Sequence, residues 1–483
     1  MKSAATLAAL FIPGAAQAHS FGRLYNLPVP LWLYLYGAAA ALLLSFLVAG
    51  YFVTVSGARQ ERPPRDISDS LLMRGLRRAL PLLQLLSLLC LLLCLATGFF
   101  GSRDPYRNFS MTFFWVVFIL GFSYLCALAG DLYALLNPWQ LIARGVDRLF
   151  PGYARGRLRY PAVLAYWPAL AFYMGFIWIE LFAHVRPLFL ARLLLAWSLI
   201  SLAGVWLFGA AAWFRHCDFL AVFLRLLARM APLDYRPATR PGERGRLLLR
   251  MPFAGLLQER AEHWSLLLFV LFMLSSTAFD GLHTTVPWYR LFWGDATGLL
   301  TQWLGRAPVY EFIQLRPWYL AYETLWLLAS PFLYLAVYLL FITLAKLLTR
   351  SPHSLRDLAL AFAFSLLPIV LVYNLTHYYT LVLTQGVKIV SLLSDPFGWG
   401  WNLFGTAGQF RAPFLPEMGL VWHTQVALIV FGHIVSVWLA HVEALRLFPG
   451  RGKALLSQLP MLLLMMLFTV AGLWILVQPI SRG

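Results

Sequence analysis

The stretch Arg356–Gln385, RDLALAFAFSLLPIVLVYNLTHYYTLVLTQ, decides the fold. After Asp357 no acidic or basic residue other than His377 interrupts it. About 20 apolar residues suffice to cross the hydrocarbon core of a bilayer, so the run reads as a membrane-crossing helix. Its outer part, YNLTHYYTLVLTQ (Tyr373–Gln385), is less apolar. Asn374, His377, Tyr378 and Gln385 recur there at helical spacing and share a face. Amide and ionisable groups are costly in lipid, and normally face a bundle interior, a partner or a water-filled cavity. A second such segment, WHTQVALIVFGHIVSVWLAH (Trp422–His441), carries His423, Gln425, His433 and His441.

The rest of the chain agrees with this reading. Of 483 residues, 61% are hydrophobic and 12% charged, with mean hydropathy +0.72. That composition belongs to an all-α, polytopic helix bundle. About ten spans are expected, near 29–55, 79–101, 111–136, 160–184, 187–213, 264–282, 318–346, 356–385, 419–445 and 459–479. Met1–Ala18 reads as a cleaved secretory signal: Lys2, an apolar run, Pro13-Gly14, then the small-residue site Ala16-Gln17-Ala18. The remainder, 19–483, reads as a single integral membrane domain.

The net charge of +18 could suggest nucleic acid, but its distribution gives a simpler reading. Most arginines and lysines fall in alternate loops: 57–78, 144–159, 215–260, 346–356 and 446–453. The positive-inside rule makes those loops cytoplasmic, in a bacterial inner membrane, and leaves the mature N-terminus and the C-terminus periplasmic. The expected partners are membrane lipids and no nucleic acid. RLLARMAPL and RLLLRMPFAGLL within Arg215–Arg260 read as interfacial helices. The loops Thr284–Pro317 and Gly386–Gly419, rich in Trp, Phe, Gly and Pro, read as a lid or aromatic belt. Cys90, Cys94, Cys126 and Cys217 give neither a disulfide framework nor zinc spacing.

This topology gathers polar residues in the outer half. Glu180 and His184 lie one turn apart. Ser276 and Asp280 do likewise, with His283 following. Glu323 opens the next span, ahead of the Asn374–Gln385 set and of His423 and Gln425. Imidazole and carboxylate are the groups a metal site uses, with amides and phenols supporting them. The ligands this pattern favours for a divalent metal (zinc, copper, iron or manganese) are His283, His377, His433 and Asp280, followed by His184 and His423. Glu180, Glu323, Asn374, Tyr378 and Gln385 would support them. His19, as a mature N-terminus, would offer an amino and an imidazole nitrogen together, a chelate suited to copper. For each histidine the plain alternative is an interhelical hydrogen bond. Asp131 and Asn137, in GDLYALLNPWQ, read as helix-end caps. No serine-hydrolase elbow, phosphate-binding loop or dinucleotide motif is present.

Six blocks carry a family resemblance: LPVPLWLYLYGAAAALLLSF (Leu27–Phe46), GDLYALLNPW (Gly130–Trp139), YWPALAFYMGFIWIEL (Tyr166–Leu181), STAFDGL (Ser276–Leu282), YNLTHYYTLVL (Tyr373–Leu383) and GHIVSVWLAH (Gly432–His441). In them the chain resembles the polytopic bacterial membrane proteins named fenitrothion hydrolase. The resemblance implies hydrolysis of a lipophilic organophosphorothioate ester, with release of a nitrophenol. It implies no particular catalytic residues. Joined to the residue reading, it makes Asp280 and His377 the catalytic candidates, with a metal-activated water as one route. Two other classes stay open: a copper- or heme-binding membrane subunit working with a partner subunit, and a transporter using the same polar set.

Overall fold

The computed structural model describes residues 27–55, 63–236, 245–295, 297–409, 417–448 and 450–478. The signal segment 1–18 and His19 lie outside the described residues. The chain is an all-α polytopic bundle. Nine helices among the described residues are long and apolar enough to cross a membrane.

In chain order the principal helices are α1 (Leu31–Val55), α2 (Leu71–Phe100) and α3 (Phe109–Ala129). Then come α4 (Trp167–Phe182), α5 (Pro187–Phe208), α6 (Phe219–Ala228) and α7 (Trp264–His283). The last four are α8 (Phe312–Thr349), α9 (Leu367–Gln385), α10 (Met418–Leu447) and α11 (Arg451–Val477). The expected span near 160–184 forms as α4, of only 16 residues. At 1.5 Å per residue it is about 24 Å long, so it is not one of the nine. Pro168 and Pro368 lie outside the helix interiors. They sit in the first turns of α4 and α9, where the missing N–H has no intrahelical role. Pro317 and Pro331 do lie within α8.

Centre and periphery separate clearly. The most apolar windows of α7 and of 355–394 are 83% buried by protein, whereas that of α2 is 11% buried. Helix α7 packs against α4, α8 and α9, and α9 also packs against α10. Side chains on α7 and α9 therefore meet other protein groups rather than lipid. This is the environment that polar residues in a membrane require.

Close approach at this centre depends on glycine. A Cβ on Gly472 of α11 would stand 1.9 Å from Tyr373 Oη, and one on Gly432 of α10 would stand 2.3 Å from Val372. Small residues let membrane helices approach until backbone polar groups become reachable. Tyr373 accordingly donates its hydroxyl hydrogen to the Phe468 carbonyl at 2.5 Å.

The basic loops differ from expectation. Only the first part of 215–260 is helical, and α6 is largely buried. Two short segments further on join 65–66 in a three-stranded antiparallel sheet of β1 (Arg65–Asp66), β2 (Leu233–Arg236) and β3 (Arg246–Leu249), in the order β1-β3-β2. In β3 Leu247 is buried while Arg246 is exposed, the alternation of a half-buried strand. Asp131 and Asn137 are caps as expected. They accept from Ala134 N–H, and from Trp139 and Gln140 N–H. The loop after α7 does form an aromatic cover. Trp288 packs on Phe279 and Tyr322, and Trp293 packs on Phe312 and Tyr319.

Gly472→Ala should lower thermal stability in detergent by about 1–3 kcal/mol through overpacking. Gly452→Ala, whose Cβ meets nothing within 4 Å, should not. Equal melting temperatures for the two variants would refute the close-approach argument.

Candidate functional site

Asp280 lies near the end of α7, 2% exposed. Its Oδ2 is 2.8 Å from His377 Nε2 and accepts the Tyr378 hydroxyl at 2.5 Å. Successive residues on a helix point about 100° apart. His377 and Tyr378 can therefore reach one oxygen only if it lies between them, so α9 presents the seam of these two residues to α7. The ring of His377 stands edge-on to that of Tyr378, with centroids 4.6 Å apart.

Two further carboxylates flank this centre. The Tyr378 hydroxyl is 3.4 Å from Glu180 Oε1 on α4. His283, one turn beyond Asp280, places Nε2 3.6 Å from Asp280 Oδ1 and Nδ1 3.3 Å from Glu323 Oε1 on α8. Phe279 stacks on the His283 ring at 5.5 Å and 2°, and Phe182 meets its edge. Four helices thus converge on a connected set of Glu180, Tyr378, Asp280, His377, His283 and Glu323. A phenol has one proton, so Tyr378 can donate to Asp280 or to Glu180 but not to both at once. A proton on Glu180 would let it donate to the phenol oxygen.

A small cavity of about 50 Å³ borders this set, lined by Glu180, Asp280, Tyr378, Asn374, Ser276 and Tyr173 among others. Water fits in such a polar space. On the far side of α3 lies an apolar chamber of about 580 Å³, walled by α2, α3 and the end of α9. Phe118 lines both spaces. It belongs to Thr112–Phe122, where the helix adopts π-type hydrogen bonding, a geometry often found at functional sites.

Asp280, His377, His283, Glu180, Glu323 and Tyr378 come together as the sequence suggests, and Asn374 lines the cavity. Other candidates stand apart. His433 is fully buried on α10, with Nδ1 bonded to the Ile429 carbonyl at 2.8 Å and its ring against Tyr373. His184 is exposed beyond the end of α4, with Nδ1 3.1 Å from the Phe182 carbonyl. His423 is exposed near Tyr34, with Nδ1 2.7 Å from the Gly419 carbonyl. Gln385 ends α9 and is half-buried.

The expected ligand set is therefore dispersed. Among the described residues, no three imidazole, thiol or carboxylate groups are arranged to hold a metal ion. The physical reason is visible at Asp280: His377 and His283 both turn Nε2 toward its carboxylate, rather than toward a shared point beyond it. His441 pairs with Gln458, and Glu443 with Arg260 and Arg446.

Sequence reasoning missed Tyr173, Phe279 and the role of Phe118. Tyr173 was accessible, because it precedes Glu180 by seven residues and so shares its helix face. The aromatic residues carry no such signal in a helix apolar on every side.

No protein-family model matches the chain, and no match is found among the curated proteins or the solved structures.

Removal of the phenol hydroxyl by Tyr378→Phe should cost about 1.5–3 kcal/mol of unfolding free energy, the range for a hydrogen bond to a charged group. Exposed His184→Ala should change it by under about 0.5 kcal/mol. Denaturant titration in detergent reads both, and a neutral Tyr378→Phe would contradict the network.

Proposed function

We propose that the protein is a hydrolase of lipophilic organophosphorothioate esters, embedded in the bacterial inner membrane, with the short α4 crossing as a tenth span and both mature termini in the periplasm. The observation that carries this reading is the Asp280 carboxylate, held by His377 and Tyr378 at the edge of a water-sized cavity. The family resemblance supplies the substrate class.

In this reading a cavity water attacks phosphorus, and its proton passes to Asp280. His377, bonded to the same carboxylate, orients it and takes up part of the charge change. Tyr378 and Asn374 offer donors to the charge that develops on the phosphoryl or thiophosphoryl group. The P–O(aryl) bond breaks, and the nitrophenolate leaves with its electron pair. The cavity is too small for such an ester, so the substrate must come from the apolar chamber by displacing the Phe118 ring. A lipophilic ester would partition into the bilayer and reach that chamber from the side. No step is assigned to a metal, because the described side chains do not converge on one.

A second reading has its own support. Glu180, Tyr378, Asp280 and His377 form a chain of exchangeable protons across three helices. Such chains of carboxylates and imidazoles serve as proton relays in membrane transporters.

Reconstituted protein should release nitrophenolate from fenitrothion. Asp280→Asn and His377→Ala should each lower the rate about 100-fold or more, with His433→Ala near wild type. Absence of turnover in folded wild type, or full activity in both variants, would overturn the hydrolase assignment. Proton flux across the same vesicles, lost in Asp280→Asn and without ester cleavage, would establish the relay instead.

A further inference from the structure

The apolar chamber ends beside a second, polar cleft of about 390 Å³. The cleft lies between the loop before α3 and the segment after α9. Its lining includes Tyr106, Arg107, Lys388, Ser391, Asp395 and Gly408. The scaffold is well tied: Ser102 N–H donates to the Phe397 carbonyl, Phe109 N–H to Pro396, and Gly408 N–H to Ser391 Oγ. Gly398, at φ +70°, lies against the Arg107 backbone, where a Cβ would come within 2.8 Å of the Arg107 carbonyl.

The charges in this cleft are unequal. Lys388 holds its ammonium over the Tyr106 ring at 5.5 Å, and Arg107 is exposed. Among the described residues, neither forms an ion pair with a carboxylate. The one carboxylate in the lining, Asp395, is already committed: its oxygens accept from Trp399 and Gly400 N–H at 2.9 and 2.8 Å. Two cations therefore face the cleft against one carboxylate, which is turned to the backbone of its own loop.

Val387 and Lys388 are consecutive residues of one helical turn (Gly386–Lys388). Val387 lines the apolar chamber, and Lys388 lines the polar cleft. From this end the chamber runs along α2 past Cys94, Leu91 and Cys90 to Leu83, about 16 Å of helix at 1.5 Å per residue. One end is cationic and the other long and apolar.

We propose that this composite site binds an anionic phospholipid, its phosphate between Arg107 and Lys388 and one acyl chain in the chamber along α2. The charge complementarity selects an anionic headgroup, and the adjacency of Val387 and Lys388, which line one space each, selects an amphiphile over a free anion. The site is separate from the Asp280 network, so its occupancy does not depend on the hydrolase reading. A lipid chain there would occupy the space through which a lipophilic substrate is proposed to pass.

Native mass spectrometry of detergent-purified protein tests this with phosphatidylglycerol and phosphatidylcholine of identical chains. Phosphatidylglycerol should bind about tenfold tighter or more, as two cations at a headgroup imply. The Arg107→Ala/Lys388→Ala double variant should lose that preference. Gly386→Leu, which intrudes on the chamber, should weaken phosphatidylglycerol but leave binding of inorganic phosphate unchanged. Asp280→Asn should retain full lipid selectivity. Equal binding of the two lipids by the wild type would overturn the proposal. So would selectivity that persists in the double variant, or competition by inorganic phosphate as effective as the lipid.

Discussion

A carboxylate that is 2% exposed inside a membrane bundle must be surrounded by hydrogen-bond donors, because no water-filled exterior is near enough to solvate it. That requirement at Asp280 organises the centre of the molecule. It brings α9 close enough for two adjacent residues to reach one oxygen. It brings α4 to Tyr378 through Glu180, and α8 to His283 through Glu323. Each helix end in the set is tied by a polar contact to a different helix. The surrounding apolar packing fixes distances but is less directional. The close approaches at Gly432 and Gly472 serve the same end, since they leave room on α10 and α11 for the Val372 and Tyr373 side chains of α9.

The two spaces follow from how α3 lies between α2 and the centre. One face of its π-type stretch meets the polar cavity, and another meets the apolar chamber. Wider π-type turns shift side chains relative to a regular helix, and here Phe118 is left at the partition. Phe118 thereby borders both the apolar chamber and the cavity beside the titratable network. This proximity distinguishes the arrangement from a merely structural buried ion pair, which needs no adjoining apolar chamber.

Much of the fold was legible because length and hydropathy act on every residue of a span. The failures are local and have definite causes. Helix α4 was read about eight residues too long because Tyr160–Tyr166 is apolar, yet that segment turns before the helix begins. The 246–249 segment was read as part of an interfacial helix, RLLLRMPFAGLL, because its arginines suggested a membrane surface. The alternation Arg246 exposed, Leu247 buried makes it a strand, but only once β1 and β2 are present to pair with. The histidines show the limit most sharply. His377 and His433 both sit in apolar helices, but α9 and α10 are apolar on nearly every side, so no moment shows which way an imidazole points. One meets Asp280; the other bonds to the carbonyl four residues before it. Only tertiary contacts separate the two.

That contrast bears on how the site works. The hydrogen bond of His433 stays within its own helix, to the Ile429 carbonyl. His377 and His283 are satisfied only across helix boundaries, by carboxylates that are themselves buried. A proton moved within this set alters the bonds of several helices at once, because Asp280 serves donors from two helices and its partners reach carboxylates on two more. In a low-dielectric surrounding such coupled groups respond together rather than singly. Asp280, shared by His377, Tyr378 and His283, is the one residue whose change of state reaches all of them. Hydrolysis and proton relay would both make use of that position, and they differ in whether phosphorus chemistry or net proton movement follows when Asp280 takes up a proton.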